Sequence, residues 1–539
     1  MRSAWPTHCG PKMSIGLSTP RLRCRSLIAK RRKSARGRRK GSAYGMGDAA
    51  QAANVAIVNR TRAARAARCC ARGGACDDTP MPTVIRRAVA AVAAVLALAA
   101  AAAAQSPPAC TSPPAGYDGT LWAKAWALHH DAFVIDTHVD TTTRILDRGF
   151  DVGPRADDGH FDLVRAQEGG LDAVFHSIYV DARFAGDERA LFAAAPQDIH
   201  ADWPRPGDPG AANGSARRAL MMIDGIVQQA RRHPTRMTMC ATADELVAAV
   251  QAGKHAALMG IEGGHAIEGD LGLLRLFHQL GVRYMTLTHT NHNEYADSCA
   301  PAEPRWGGLN RLGVKVVTEM NRLGMVVDVS HVSDATFFAA LAATKAPVIC
   351  SHSSLRALCP HPRNVTDEML RAIAANGGAV MINFNCGFLD ADYAKNRSAR
   401  QATRRIQEKA ARDKFALGSA ELRDALAALD ARFPAVDPPP LATLVAHVLR
   451  ALAVAGPDHV GLGSDFDGVP CVPRGVDDAA HLPRLTYELL AAGQSEATVR
   501  KVLGGNLLRV LRAVETHAAS RRGEEPQRNG ADDFDRLPR

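Results

Sequence analysis

The 539-residue chain has no Cys-x-x-Cys pair among the seven cysteines that follow residue 105 (Cys110, Cys240, Cys299, Cys350, Cys359, Cys386 and Cys471), so zinc-finger chemistry has no support. It shows no internal repeat and no interleaving of aromatic with basic residues, which leaves nucleic-acid recognition little to stand on. It also has no basic excess once its charge is divided. The formal net charge is +11, but residues 1–80 hold 18 Lys/Arg against 3 Asp/Glu, or +15, and the remainder hold 48 against 52, or −4. The excess, including Lys30-Arg31-Arg32-Lys33 and Arg38-Arg39-Lys40, lies in a segment without apolar periodicity, which by itself could bury almost nothing. Residues 1–80 therefore read as a disordered basic extension and not as a binding domain.

The stretch that follows accounts for this extension. Met81 opens Met-Pro-Thr-Val-Ile-Arg-Arg, and Ala88 to Ala104 is apolar and Ala-rich, with small residues before Gln105. A charged n-region before a short apolar h-region predicts a secretory signal peptide over 81–105, too short and too weakly flanked for a stable transmembrane span. On this reading translation starts at Met81, and residues 1–80 come from an over-long gene assignment. The mature protein is expected to be exported, periplasmic or secreted, by a route that Arg86-Arg87 does not decide. The Pro-Pro-Ala before Cys110 is a poor context for lipid attachment. An exported chain can oxidise its cysteines, and an odd number leaves at least one unpaired.

From about Leu121 short β-branched or apolar runs alternate with longer helical patterns, as repeated βα units require. Eight runs can be counted: Phe133 to Asp140, Leu171 to Val180, His255 to Gly263, Val282 to His289, Gly324 to His331, Ala346 to His352, Gly378 to Phe384, and His459 to Gly468. Amphipathic stretches such as Leu271 to Leu280 and Ala335 to Ala343 are long enough to return the chain for a parallel partner. Eight parallel strands predict an α/β fold, a (β/α)8 TIM-type barrel over residues 106–518, with a doubly wound open sheet as the alternative. The Pro/Gly-rich piece Ala201 to Gly214 and a charged helical insertion before the last strand, Ala394 to Leu441, are extra to the repeat and are expected at the rim. The charged tail 519–539 is expected to be disordered.

Ionisable residues fall at the C-terminal ends of those strands. Strand one ends Ile-Asp-Thr-His138-Val-Asp140, where period-two geometry puts His138 and Asp140 on one face. Strand three ends in Glu262, strand four in His289, strand five in His331, strand six in His352, and strand eight in Asp465. A lone histidine after a strand is usually a hydrogen-bonded structural residue. Six placements at the one barrel face where active sites are built make that explanation poor and point to a metal centre. His176 lies within strand two, and His265, His292 and His361 sit just past strand ends, where capping or loop roles fit better. Asp328 and Asp467 are assigned structural roles.

At these residues the sequence resembles the membrane (renal-type) dipeptidase family, zinc-dependent relatives of the amidohydrolase superfamily. The resemblance runs from about Leu121 to Thr516. It rests on Val134-Ile-Asp-Thr-His-Val-Asp140, Gly260-Ile-Glu-Gly-Gly-His265, Leu280 to Thr290, Asp328-Val-Ser-His331, Ser351-His352-Ser-Ser, Arg363-Asn-Val365 and Gly463-Ser-Asp-Phe-Asp-Gly468. It implies two Zn2+ per chain, with His138 and Asp140 on one ion, His331 and His352 on the other, Glu262 bridging and Asp465 closing the first site. It implies a dipeptide substrate touched by His289 and Arg363, and a homodimer. Two Zn2+ would be balanced by Asp140, Glu262, Asp465 and one hydroxide, and water shared by two such ions supplies hydroxide near neutral pH. The expected reaction is attack of that metal-bridging hydroxide on the peptide carbonyl, with His289 at the oxyanion and Asp465 carrying the proton to the amine. Arg363 would clamp the substrate's free carboxylate.

The loop Asn291 to Asp297 and the insertion depart from the better-known mammalian members, which leaves side-chain preference open. No hydrophobic C-terminal tail is present, so no lipid anchor of the kind some relatives carry is expected. Cys359 and Cys386 are candidates to pair. Two competing readings are another two-metal amide or lactam hydrolase, which would have little use for Arg363, and a catalytically silent metal-binding accessory protein.

Overall fold

In the computed structural model, which describes residues 109–185, 214–416 and 419–535, nine strands form one sheet. They are β1 (Ile135–Val139), β2 (Ala173–Tyr179), β3 (Met237–Met239), β4 (His255–Glu262), β5 (Val282–Thr286), β6 (Val326–Asp328), β7 (Ile349–Cys350), β8 (Ala379–Ile382) and β9 (Val460–Leu462). Every pairing is parallel, and the order runs β2-β1-β9-β8-β7-β6-β5-β4 before a seven-residue ladder, Ala173 with Ala256 to Tyr179 with Glu262, joins β2 back to β4. The closed eight-stranded (β/α)8 barrel expected from the sequence is therefore present, with β3 as an additional short strand on the first half of β4.

The strands are apolar along both faces because helices cover the outside and side chains fill the inside. All eight positions of β4, His-Ala-Ala-Leu-Met-Gly-Ile-Glu, are buried. Within the barrel Tyr284, fully buried, packs on Phe175 with ring centroids 5.1 Å apart. Gly260 on β4 makes room for it: a Cβ there would lie 2.0 Å from the Tyr284 ring. The connecting helices start at side-chain caps such as Ser333, which accepts from the Thr336 N–H, and Thr366, which accepts from that of Met369.

Several strands are shorter than their apolar runs suggested. The residues after Asp328, Cys350 and Leu462 leave the ladder and turn across the mouth of the barrel, and His331 and Asp465 do so with left-handed backbones (φ 65° and 64°). The insertion after β8 is helical as expected, with helices Ala391–Lys414 and Ala420–Arg432 joined by an Arg404–Asp430 ion pair of 2.8 Å.

Two expectations are corrected. Cys386 pairs with Cys471, not with Cys359; the Cα atoms of the bridge are 5.7 Å apart, and Cys359 is a free buried thiol whose Sγ lies 3.6 Å from the Gly387 carbonyl. The pairing follows from the sheet order, in which β8 and β9 are neighbours and set the loop after β8 beside the loop after β9. The tail after Ser520 is ordered where it is described. Residues 521–535 run along helix Arg311–Leu323, where the Leu312 N–H donates to the Asp533 carbonyl (2.8 Å), the Gln527 N–H to Glu319 (3.1 Å), and Lys315 pairs with Asp533 (2.5 Å). Charge suggested solvent, but buried Glu319 and the Arg311 and Leu312 N–H groups, which the Asn310 cap leaves free, supply partners. The basic extension 1–80, the signal peptide 81–105 and residues 201–213 of the Pro/Gly-rich piece lie outside the described residues.

Candidate metal centre

The mouth of the barrel gathers every candidate ligand. From β1 come His138 and Asp140, with His138 Nε2 3.5 Å from Asp140 Oδ2. Glu262 ends β4 and divides its carboxylate: Oε2 lies 3.3 Å from His138 Nε2, while Oε1 lies 2.9 Å from His331 Nε2 and 3.2 Å from His352 Nε2. His289, after β5, sits 3.8 Å from Oε1 through its own Nε2. Donor atoms of His138, Asp140 and Asp465 form a further cluster on the β1–β9 side, all within 4.8 Å of one another.

Neighbouring side chains fix the ring orientations. The Tyr284 hydroxyl donates to the Thr137 carbonyl (3.1 Å), so its oxygen must accept from His138 Nδ1 at 2.8 Å, which turns Nε2 toward the carboxylates. His352 is held the same way. The Ser351 hydroxyl donates to Asp328 (2.6 Å) and accepts from His352 Nδ1 (2.7 Å), so the bare Nε2 points at His331 Nε2, 2.8 Å away. Asp328 is buried and also accepts from Thr286 Oγ1 and from the backbone N–H groups of Ser330 and Ser351. It serves as the anchor beneath the site, as its assigned structural role implied. Asn383, after β8, donates to Asp465 Oδ2 at 2.9 Å.

The charge balance is one-sided. Asp140, Glu262 and Asp465 are each at least nine-tenths buried, and among the described residues ion-pair contacts to them come only from histidines. Burial and the neighbouring Asp140 hold the Asp465 carboxyl well above its usual range. Burial, with Arg363 and His289 nearby, holds His331 well below the usual imidazole range; burial and His138 do the same for His352. Burial also works against protonated His138, but Tyr284, Glu262 and Asp140 outweigh it. Three carboxylates and several neutral imidazoles in a dry pocket suit divalent cations, which supply the missing positive charge. Three buried atoms in the cluster, His138 Nε2, Asp140 Oδ1 and His331 Nδ1, have no hydrogen-bond partner.

Arg363 stands at the edge of this cluster, buried, with Nη2 donating to the His352 carbonyl (3.0 Å) and Nη1 to Ser353 Oγ (3.4 Å). No carboxylate among the described residues pairs with it, and its Nε has no partner. The remaining singled-out residues stay outside the cluster. His176 is buried against Phe161, His292 holds Asp297, His361 accepts from the Arg363 N–H, and Asp467 binds Thr141, Arg144 and the His160 N–H. Sequence reading missed Tyr284, Ser351, Asn383 and the pair Tyr179–Asp181, whose Tyr179 ring meets His289 edge-on at 4.8 Å. Tyr179 and Asp181 do sit at the end of β2, so the strand-end signal that found the ligands was available for them.

Comparison with known proteins points to one family. Residues 122–525 match the membrane dipeptidase family, peptidase family M19. Dipeptidase aclJ of Aspergillus oryzae is 36% identical over 364 residues, covering 67% of this chain and 72% of that protein. Dipeptidase tcpJ of Claviceps purpurea is 35% identical over 368 residues, covering 68% and 72%. A metallopeptidase from Rhodobacter sphaeroides, solved with a phosphinate mimic of the dipeptide L-Ala-D-Ala, superposes with a TM-score of 0.56 at 27% identity, over 71% of this chain and 99% of that one. The probable dipeptidase PvdM of Pseudomonas aeruginosa shares the fold, with a TM-score of 0.60 at 23% identity over 75% and 100%.

Proposed function

Since the chain belongs to the membrane dipeptidase family and is an enzyme of dipeptidase type, we propose that it hydrolyses dipeptides at a centre of two zinc ions held by His138, Asp140, Glu262, His331, His352 and Asp465. The observation that carries this reading is the divided carboxylate of Glu262, one oxygen toward His138 and the other toward His331 and His352. On this reading His138 and Asp140 with Asp465 would hold one ion, His331 and His352 the other, and Glu262 would serve both. When bound, such a pair supplies Lewis acidity and a water acidic enough to act as hydroxide near neutral pH.

The chain's own groups do the rest. His289 turns Nε2 into the pocket and donates to the carbonyl oxygen as negative charge develops there. Asp465, oriented by Asn383, takes the proton of the attacking water and returns it to the leaving nitrogen as the C–N bond breaks. Arg363 receives the free C-terminal carboxylate of the substrate: its guanidinium is already desolvated and oriented by His352 and Ser353, so little ordering is left to do on binding. Such a clamp requires a free carboxylate one residue beyond the scissile bond, which a dipeptide supplies. The dipeptide mimic bound by the Rhodobacter sphaeroides relative supports the same substrate class. The Cys386–Cys471 bridge supports an oxidising compartment, in keeping with export.

The test compares a dipeptide with its C-terminal amide in wild type and Arg363→Ala. The wild type is expected to prefer the free carboxylate, and the variant to lose that preference through a KM raised on the order of 100-fold, the worth of a buried charge-assisted pair. Equal rates on both substrates in the wild type would remove the clamp and favour a broader amide hydrolase.

A further inference from the structure

At the end of the barrel opposite the metal centre lies a cavity of about 580 Å3, within the size range of small-molecule sites. Its walls come from the segments that enter the strands: Asp172 just before β2, Arg236 just before β3, Lys254 just before β4 and His255 at its first position, over an apolar floor that includes Leu163 and Leu171. In this architecture the N-terminal face ordinarily serves stability, so unneutralised charge there calls for an explanation.

The charges of both signs in this cavity are kept apart. Asp172 accepts one hydrogen bond, from the Val134 N–H at 2.9 Å, and burial pushes its carboxyl up to about 7. Arg236 donates through Nη1 to the Gly153 carbonyl at 2.6 Å and meets no carboxylate, and Lys254 has no ion-pair partner among the described residues. His255 gives Nδ1 to the Leu171 carbonyl at 3.1 Å. Asp131, also at the wall, is taken up by Arg500 at 2.6 Å, so Asp172, Arg236 and Lys254 line a single cavity without neutralising one another. A ligand that carries a cation at one end and an anion at the other satisfies both, whereas a simple anion or a simple amine leaves one sign uncompensated.

We propose that this cavity is a second binding site, for a small zwitterion of the free α-amino acid class, its ammonium on Asp172 and its carboxylate on Arg236 and Lys254. The apolar floor receives the side chain, and the volume leaves room for residues larger than alanine. The assignment stands on the cavity alone and does not rest on the dipeptidase reading, although dipeptide hydrolysis releases molecules of this class.

The experiment is calorimetric titration of the zinc-loaded full chain, as wild type and as Glu262→Gln, with L-alanine, L-leucine, acetate, methylamine and L-alanyl-L-alanine. In Glu262→Gln one amino acid is expected to bind per chain, at least tenfold tighter than acetate or methylamine, so a failure of the metal-centre reading leaves this result untouched. Asp172→Asn, which still accepts from Val134, and Arg236→Ala are each expected to weaken L-alanine tenfold or more while dipeptide turnover and Tm hold. Lys254→Met, a rim change that asks nothing of the fold, is expected to weaken it by a smaller factor. Absence of saturable binding, equal binding of acetate and alanine, binding of the dipeptide alone, or indifference to all three variants would each overturn the proposal.

Discussion

The barrel mouth and the paired helices of the insertion are both rich in charge, yet they hold it on opposite terms. In the insertion, Arg404 and Arg412 pair with Glu408, Lys409 pairs with Asp413 and Arg404 with Asp430, mostly at the surface and with acid matched to base. Tyr393 is the single buried residue of the first of these helices. At the mouth, Asp140, Glu262 and Asp465 are buried together, and among the described residues no lysine or arginine forms an ion pair with them. Matched surface charge is cheap and nearly inert, because water already solvates each partner. Buried charge of one sign is costly, and it persists where something that binds there repays the cost. The difference separates a solvated decoration from a working site more sharply than charge content alone.

The contrast can be broken most directly at Glu262. Glu262→Gln keeps the shape and removes the charge that both halves of the centre share, so turnover is expected to fall by at least ~10^3-fold and elemental analysis to find fewer than two metals per chain. Two metals and full turnover in that variant would defeat the bridging role. Next in size is Tyr284→Phe, which strips the acceptor from His138 Nδ1 without opening a cavity; activity or metal affinity is expected to drop ~10- to 100-fold, read from kcat/KM and competitive chelation.

A third test concerns acid sensitivity away from the mouth. Burial holds His176 at about 3 and His255 at about 4, each below the ordinary imidazole value of ~6.5. The unfolded chain therefore binds protons that the folded chain refuses. Stability from this source is complete above pH ~6.5 and drains away as pH falls toward the folded values, by up to ~1.4 kcal/mol per pH unit for each residue. Both His176 nitrogens lack partners and its ring packs edge-on against Phe161, so Phe fits the position. His176→Phe is expected to lose less stability than wild type between pH 7 and pH 5 in urea unfolding; parallel losses would assign the acid limb elsewhere. Smallest of all is Asp430→Asn in the insertion, for which turnover and Tm should match the wild type, the latter within ~1 °C. A large effect there would mean that the insertion is coupled to the centre.

How much of this was legible in the sequence depends on whether a residue's role is set locally. His138, Asp140, Glu262, His289, His331, His352 and Asp465 could be found because each follows an apolar run, and a parallel barrel delivers all such ends to one place. Tyr284 could not, since its contact with His138 depends on the space left by Gly260 on the neighbouring strand. Ser351 and Asn383 act on other side chains, through His352 and Asp465, and neither contact has a period or a spacing to reveal it. The disulfide partner could not be read because β8 neighbours both β7 and β9, so spacing along the chain does not decide whether Cys386 meets Cys359 or Cys471. The tail looked disordered because composition records its charges but not the buried Glu319 and the helix start that receive them.

The Cys386–Cys471 bridge reaches across the two sides of the insertion. On one side the chain leaves after Leu389, whose carbonyl accepts from His447; on the other it re-enters through helix Leu441–Ala455, which carries that histidine. The segment hung between these fastenings resembles a graft on a clamped branch. Growth, pruning or replacement of the hairpin over evolutionary time would be absorbed at the clamp, and Asn383 and Asp465 would keep their spacing while the outward face of the molecule was redrawn.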